Sequence, residues 1–320
     1  MIEFTRRRAL TVTAGAAAAL GASRTIAFLP SAVAEEAAAK GFHSFKAGDI
    51  AVTTVFDGIW EKPHDPGFIK NATLDETKAA LRAAGLADDK VTIPFTVTFV
   101  TIGGKTIMFD SGTGGQLSPL AGKLAANMAA AGIDRSAIST IIVTHFHPDH
   151  IFGLMEEETN AQIYPNADIV IPAAEMKFWS DAGVFARLPE AFHGLAKRIQ
   201  ATLPTWKNVR LIEGESDVVA GIRSIPAHGH TAGHTVYALG SGSEQLMVLA
   251  DTTNIPALFV RHPGWHAAFD ADAVAAEANR RKLFDRVVAD RAIMTGYHYG
   301  VPGAGRIEKD GDGYAFVPIA

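Results

Sequence analysis

Along residues 41–320 the apolar positions change period many times, and each change marks an element. Residues 49–56 (DIAVTTVF) alternate as a strand and run into Asp57-Gly58, a turn dipeptide. Residues 73–84 follow a helical period, with Thr73 placed to cap the helix and Glu76 three residues on to complete a capping box. Residues 95–102 (FTVTFVTI) and 106–109 flank Gly103-Gly104 and predict a β-hairpin. A glycine-rich loop, 110–115 (DSGTGG), precedes a helical stretch at 120–131 and an apolar strand at 139–143. The second half predicts strands at 167–171, 209–212, 218–225, 235–239 and 245–249, helices at 173–181, 189–203 and 270–289, and a final strand at 292–295. No linker or low-complexity tract interrupts 41–320. Two similar halves of alternating strands and helices predict one α/β domain, with two mixed β-sheets and helices on the outer faces.

Residues 1–34 follow other rules. Arg6, Arg7 and Arg8 precede an apolar run at 10–22, and the small-residue triplet Ala32-Val33-Ala34 stands before Glu35. Basic, then apolar, then small residues form the layout of a cleaved export signal. The run is too short, and too rich in Ala and Gly, to span a bilayer. Thr5-Arg6-Arg7-Arg8-Ala9-Leu10 resembles a twin-arginine signal, so a periplasmic or secreted protein is expected, with 35–320 as its mature domain.

Composition narrows the function classes. The chain has 320 residues, 48% hydrophobic and 20% charged, which is ample for a buried core. Its formal charge is −5. Residues 1–34 hold four arginines and one acid, so the remainder carries 25 basic and 33 acidic side chains, a net of −8. That balance argues against a nucleic-acid partner. No long apolar run occurs in 35–320, so no stable membrane association is expected. Cysteine is absent, so any transition metal must be held by histidine and carboxylate.

Such a donor set stands in residues 144–150 (THFHPDH), directly after an apolar strand. His145 and His147 are two apart, so in an extended chain both point the same way. Pro148 turns the chain, and Asp149 and His150 follow at a helix start. Three imidazoles and a carboxylate within six residues suit Zn, Fe, Mn or Co. A second histidine-rich stretch, 227–235 (AHGHTAGHT), holds His228, His230 and His234, and by itself does not say which of them binds.

HxHxDH after an apolar strand resembles the metallo-β-lactamase superfamily, and the resemblance runs from about residue 48 to 320. Gly229-His230-Thr231 looks like its third motif, Asp251 like its bridging aspartate, His298 like its final histidine and Asp110 like its early structural aspartate. The resemblance implies an αββα sandwich and two divalent metal ions, zinc foremost. His145, His147 and His230 would hold one, Asp149, His150 and His298 the other, and Asp251 would bridge. Asp110 and His234 would support ligands from behind, and His228 takes a place usually held by proline. The implied chemistry is attack by a metal-bridging hydroxide, with Asp149 and Asp251 in the catalytic centre.

The C-terminal third is most similar to the methyl parathion hydrolase and dihydrocoumarin hydrolase branch, whose members open lactones and aryl esters. Tyr299-Gly300-Val301 replaces that branch's Phe-Pro-Phe-like run, which counts against phosphotriester cleavage. Phosphotriesterase is the alternative activity; β-lactamase and glyoxalase II-like thioesterase fit less well. Trp179, Phe178, Phe192, Trp60 and Leu258 are candidates for a substrate pocket, and equally for core or dimer packing. A homodimer is compatible with the sequence, and a small lactone or ester is the expected partner.

Overall fold

A computed structural model describes residues 32–319 except Ala220. The basic and apolar parts of the expected export signal lie outside the described residues, and the expected cleavage triplet opens a helix, Ala32–Lys40. Among the described residues no helix is long and apolar enough to cross a membrane.

Two seven-stranded sheets form the centre. The first runs in chain order through β1 (Phe42–Ala47), β2 (Ile50–Pro63), β3 (Lys90–Ile102), β4 (Lys105–Phe109), β5 (Ile138–Ile142), β6 (Asp168–Pro172) and β7 (Val209–Ile212). The second is ordered β14-β13-β12-β11-β10-β9-β8, from β8 (Asp217–Val219), β9 (Ile222–Pro226), β10 (Thr235–Leu239), β11 (Leu246–Val248), β12 (Ile293–Thr295), β13 (Ala304–Asp310) and β14 (Gly313–Pro318). Strands β4 to β7 are parallel, as are β11 and β12, and the other neighbours are antiparallel. Both sheets are therefore mixed, as expected.

The period-2 pattern explains the layering. In β10, Tyr237 and Leu239 face the first sheet's Val100, Ile107, Phe109 and Ile142, while Val236 and Ala238 face the other way. Those outward residues pack on Leu283, Phe284 and Val287 of the long helix Ala273–Asp290. The first sheet's outer face is covered by Leu81, Met128, Trp179 and Ile199, from helices Leu74–Ala83, Leu124–Ala130, Ala173–Ser180 and His193–Thr202. The result is four layers, helix–sheet–sheet–helix. Tyr237 ties the sheets together, with its ring 5.5 Å from Phe109 and its hydroxyl donating to the Val143 carbonyl at 2.9 Å.

Local signals hold at several boundaries. Thr73 caps the helix Leu74–Ala83 and Glu76 closes the box from the other side. Three expectations need correction. Asp57-Gly58 does not turn; β2 continues through it by a bulge between Phe56 and Gly58. The buried Asp57 carboxylate accepts from Thr113 N, Thr113 Oγ1 and Leu124 N, and these distant donors hold the strand through. The expected strand at 218–225 is a hairpin, β8 and β9. The strand at 292–295 is not final, because β13 and β14 follow.

Candidate active site

The candidate residues sit at one end of the sandwich, where loops leave the strands. His145 and His147 follow β5, and Pro148 at the first position of a short helix, Pro148–Ile151, turns Asp149 and His150 beside them. His230 precedes β10, Asp251 follows β11 and His298 follows β12. Ala250, next to Asp251, adopts φ +44°, a left-handed conformation that costs an alanine about 1–2 kcal/mol. Asp110, after β4, has φ +62°.

Folding brings these residues into two adjoining groups. His145, His147, His230 and Asp251 form one, and Asp149, His150 and His298 the other, with the polar atoms in each within 4.8 Å of one another. Asp251 joins them. Its Oδ2 lies 3.2 Å from His230 Nε2 and 2.9 Å from His298 Nε2, and its Oδ1 lies 3.2 Å from His150 Nε2.

Outer hydrogen bonds turn four of the five rings, those of His298, His230, His150 and His145, toward the centre. The His298 Nδ1–H donates to the Pro94 carbonyl at 2.8 Å, which leaves Nε2 as the acceptor. The His230 Nδ1–H donates to Asp270 Oδ1 at 2.9 Å. The His150 Nδ1–H donates to Asp110 Oδ2 at 2.8 Å, and Thr144 Oγ1 donates to the same oxygen. That hydroxyl in turn accepts from His145 Nδ1 at 3.0 Å. Asp110 therefore orients a ring in each group.

The arrangement fits cations. His147 Nδ1 stands 3.0 Å from His145 Nε2 and 2.9 Å from His230 Nε2, so three imidazole nitrogens crowd one point. His150 Nε2 and Asp251 Oδ1 are buried with no hydrogen-bond partner among the described residues. Inward lone pairs and unpartnered buried atoms are costly unless a divalent cation takes them. Charge alternates within the cluster. Burial, then the neighbouring imidazoles, holds His145 well below the usual histidine range, and burial with His230 takes His147 to about 3. Burial also pulls on His230 and His150, but carboxylates outweigh it, raising His230 to about 9 and His150 well above its usual value, so a proton and a cation compete for their inner nitrogens. Burial pushes Asp251 up, yet His298, His150 and His230 together carry it well below its usual value.

His234 is fully buried behind the cluster, donating from Nδ1 to the Ala227 carbonyl and accepting Asp251 N–H at Nε2, 3.2 Å away. His228 is exposed, and its carbonyl accepts from Asn279. The loop is wedged tightly. A Cβ on Gly229 would lie 2.3 Å from Ala276 N, and one on Gly233 would lie 2.1 Å from Glu175 N, so neither position admits a side chain.

A cavity of about 410 Å³ opens over the cluster. Trp60, Ile93, Phe95, Phe152, Phe192 and Phe269 form its apolar wall, and Asp149, Asp251 and Asn254 reach it from below. Of the pocket candidates, Trp60 and Phe192 line this cavity. Phe178 and Trp179 line a neighbouring cavity instead, and Trp179 is 1% exposed with its indole bonded to Glu175. Leu258 is a correction: it is fully buried in the core and lines neither cavity, because Pro256–Phe259 is a helical turn packed against Phe68 and its neighbours. Tyr299 packs away from the cavity on Phe316 at 4.9 Å, and the aromatic bulk comes instead from Trp60 of β2, Phe95 of β3, and Phe152, Phe192 and Phe269 beside the helices.

Sequence reasoning missed the frame behind the candidate ligands. Asp270 holds His230 and is itself held by the buried Arg280 at 3.4 Å. Glu175, wholly buried, accepts from Phe146 N and Trp179 Nε1 on one oxygen and from Thr231 Oγ1 and Gly233 N on the other. It ties the first histidine loop to the second. The Tyr297 ring stacks on His150 at 3.8 Å and its hydroxyl donates to the Asp149 carbonyl. None of these residues carries a motif; a buried acid inside an apolar helix, as in AAEMKFW, is the one signal that marks Glu175.

Residues 95–294, more than half of the chain, match the family model of the metallo-beta-lactamase superfamily. Among solved structures the chain is similar to the dizinc quorum-quenching lactonase AidC in complex with the product N-hexanoyl-L-homoserine, with 26% identity and a TM-score of 0.81 over 88% of this chain and 98% of that one. It is also similar to the hydrolase AbOPH of the β-lactamase superfamily, with 24% identity and a TM-score of 0.80 over the same shares. A probable metal-dependent hydrolase from Staphylococcus aureus shares the fold at 19% identity, with a TM-score of 0.65 over 86% of this chain and 100% of that one. No curated protein matches the chain. The chain therefore belongs to the metallo-β-lactamase superfamily, as a metal-dependent hydrolase.

Proposed function

We propose that this hydrolase opens lactones or aryl and carboxylic esters, using two divalent cations, zinc foremost, after export from the cytoplasm. The observation that carries the substrate class is the first cavity. Its wall is aromatic and aliphatic, and no lysine or arginine lines it among the described residues. Such a wall accepts a neutral, apolar acyl or aryl group and, away from the cations at the floor, offers a further carboxylate or phosphate no counter-ion. The AidC complex, with a lactonase product, supports the same class.

His145, His147 and His230 would hold one cation, Asp149, His150 and His298 the other, and Asp251 would reach both. Bound there, divalent cations supply Lewis acidity, lowering the pKa of a water toward ~7 and polarising a carbonyl. The chain's residues do the rest. Asp110, Asp270 and the Pro94 carbonyl keep the His150, His230 and His298 tautomers fixed, so the inner nitrogens stay unprotonated when ligated. Asp149 borders the cavity; burial raises its pKa, but His150 and His298 lower it further, so it stands ready as a carboxylate. From there its carboxylate oxygen accepts the proton of the attacking water and returns it to the departing alkoxide or phenolate. Phe95, Phe152 and Phe192 exclude bulk water from the reacting carbonyl.

A panel of dihydrocoumarin, γ- and δ-lactones, acyl-homoserine lactones, an aryl ester, paraoxon, a cephalosporin and S-lactoylglutathione tests this reading. Turnover should concentrate on the lactones and the aryl ester; inactivity on all of them would defeat it. Metal content is a separate measurement. Protein purified without chelator should carry two metal equivalents by elemental analysis, and one or none would defeat the dinuclear assignment.

A further inference from the structure

A second cavity of about 560 Å³ adjoins the first across a shared wall of His147, Phe192, His230 and Phe269. Its character differs. Phe178, Trp179 and Leu188 supply apolar surface, but Lys70, Arg187 and His228 also line it. Of the acids in that lining, Asp270 is paired with His230 and Arg280, and Asp272, exposed at the cavity rim, accepts from Ala275 N through one oxygen. Arg187 already pairs with Asp181 and lies over the Phe178 ring. Lys70 is exposed, and no carboxylate lies within 4.0 Å of its ammonium among the described residues.

Cleaving an acyclic ester makes two products, and each needs room beside the reacting carbon. Water's oxygen bonds to the acyl carbon as the C–O bond breaks. One water proton goes to the departing oxygen, giving the alcohol or phenol, and the other is lost to solvent as the acyl half leaves as a carboxylate. The apolar first cavity suits the acyl half. We propose that the second cavity receives the alcohol or phenol half, and that Lys70 selects substrates in which this half bears a carboxylate. The inference rests on the acyl-hydrolase reading above. It makes the enzyme a two-armed one, with an uncharged acyl arm and an anionic leaving arm on opposite sides of His147 and His230.

The test compares 4-carboxyphenyl octanoate with 4-acetamidophenyl octanoate, in the metal-loaded wild type and in Lys70→Glu. The ratio of kcat/KM for the carboxyphenyl ester to that for the acetamidophenyl ester should fall about fivefold in the variant, mainly through KM, as reversing one exposed charge allows. An unchanged ratio would overturn the proposal. If neither ester is hydrolysed, the acyl-hydrolase reading fails and the cavity is tested by itself. Binding of 4-hydroxybenzoate is then followed by calorimetry and by intrinsic tryptophan fluorescence. Weaker binding to Lys70→Glu than to wild type supports the anionic subsite; equal affinity, or no binding to either, overturns it.

Discussion

Asp251→Ala is expected to lower kcat/KM by on the order of a thousandfold or more, and to leave the protein with less than its full metal complement. Among the described residues Asp251 is the one side chain whose oxygens approach rings in both groups, at 2.9 to 3.2 Å from His298, His150 and His230. Alanine removes that joint and also the negative charge that balances three neighbouring imidazoles. Losses of this size are typical where residues act as one unit. Elemental analysis beside the rate measurement separates the causes: full metal content with wild-type activity would contradict the role given to Asp251. Asp251→Asn should keep the hydrogen bond from its backbone N–H to His234 and still lose activity, because an amide cannot offer two anionic oxygens.

Glu175→Ala should lower Tm by roughly 10 °C without touching any cavity-facing group of the ligand cluster. Four donors lose their acceptor at once: Phe146 N, Trp179 Nε1, Thr231 Oγ1 and Gly233 N. A buried donor left unpaired costs about 1–3 kcal/mol, so even with partial relaxation about 4 kcal/mol is lost. For a chain of this size each kcal/mol moves Tm by ~2–4 °C. Glu175→Gln should fall between wild type and alanine, because the amide keeps one acceptor oxygen and turns the other side into a donor facing donors. An unshifted melting curve for the alanine variant would show that water replaces all four bonds and that the two loops hold without the carboxylate.

The ligand cluster was legible because its signal is local. His145, His147, Asp149 and His150 lie within six residues, and a strand followed by a proline turn leaves them few other arrangements. The layers were legible for a related reason, since period-2 strands and period-3.6 helices write their buried faces into composition. What failed was long-range. Asp57-Gly58 has the chemistry of a turn, yet donors at 113 and 124 draw the Asp57 carboxylate into the core and the strand runs on. Asp270 stands forty residues from His230, and the acceptor for His298 is a backbone carbonyl 204 residues away, which no side chain announces. Leu258 is near Asp251 in sequence but not in the site, because the helical turn at Pro256–Phe259 turns it into the core.

The close seating of Gly229 and Gly233 has a mechanical meaning. Gly229 rests on the start of Ala273–Asp290, which covers the second sheet, and Gly233 rests on Ala173–Ser180, which covers the first. The His230 loop is thus gripped between the two outermost layers of the molecule, like a feeler gauge in a gap. A slide of one sheet and its helices against the other would register at His230 before it disturbed the strands. Rigidity of the whole sandwich is, for this enzyme, a condition on one imidazole's position.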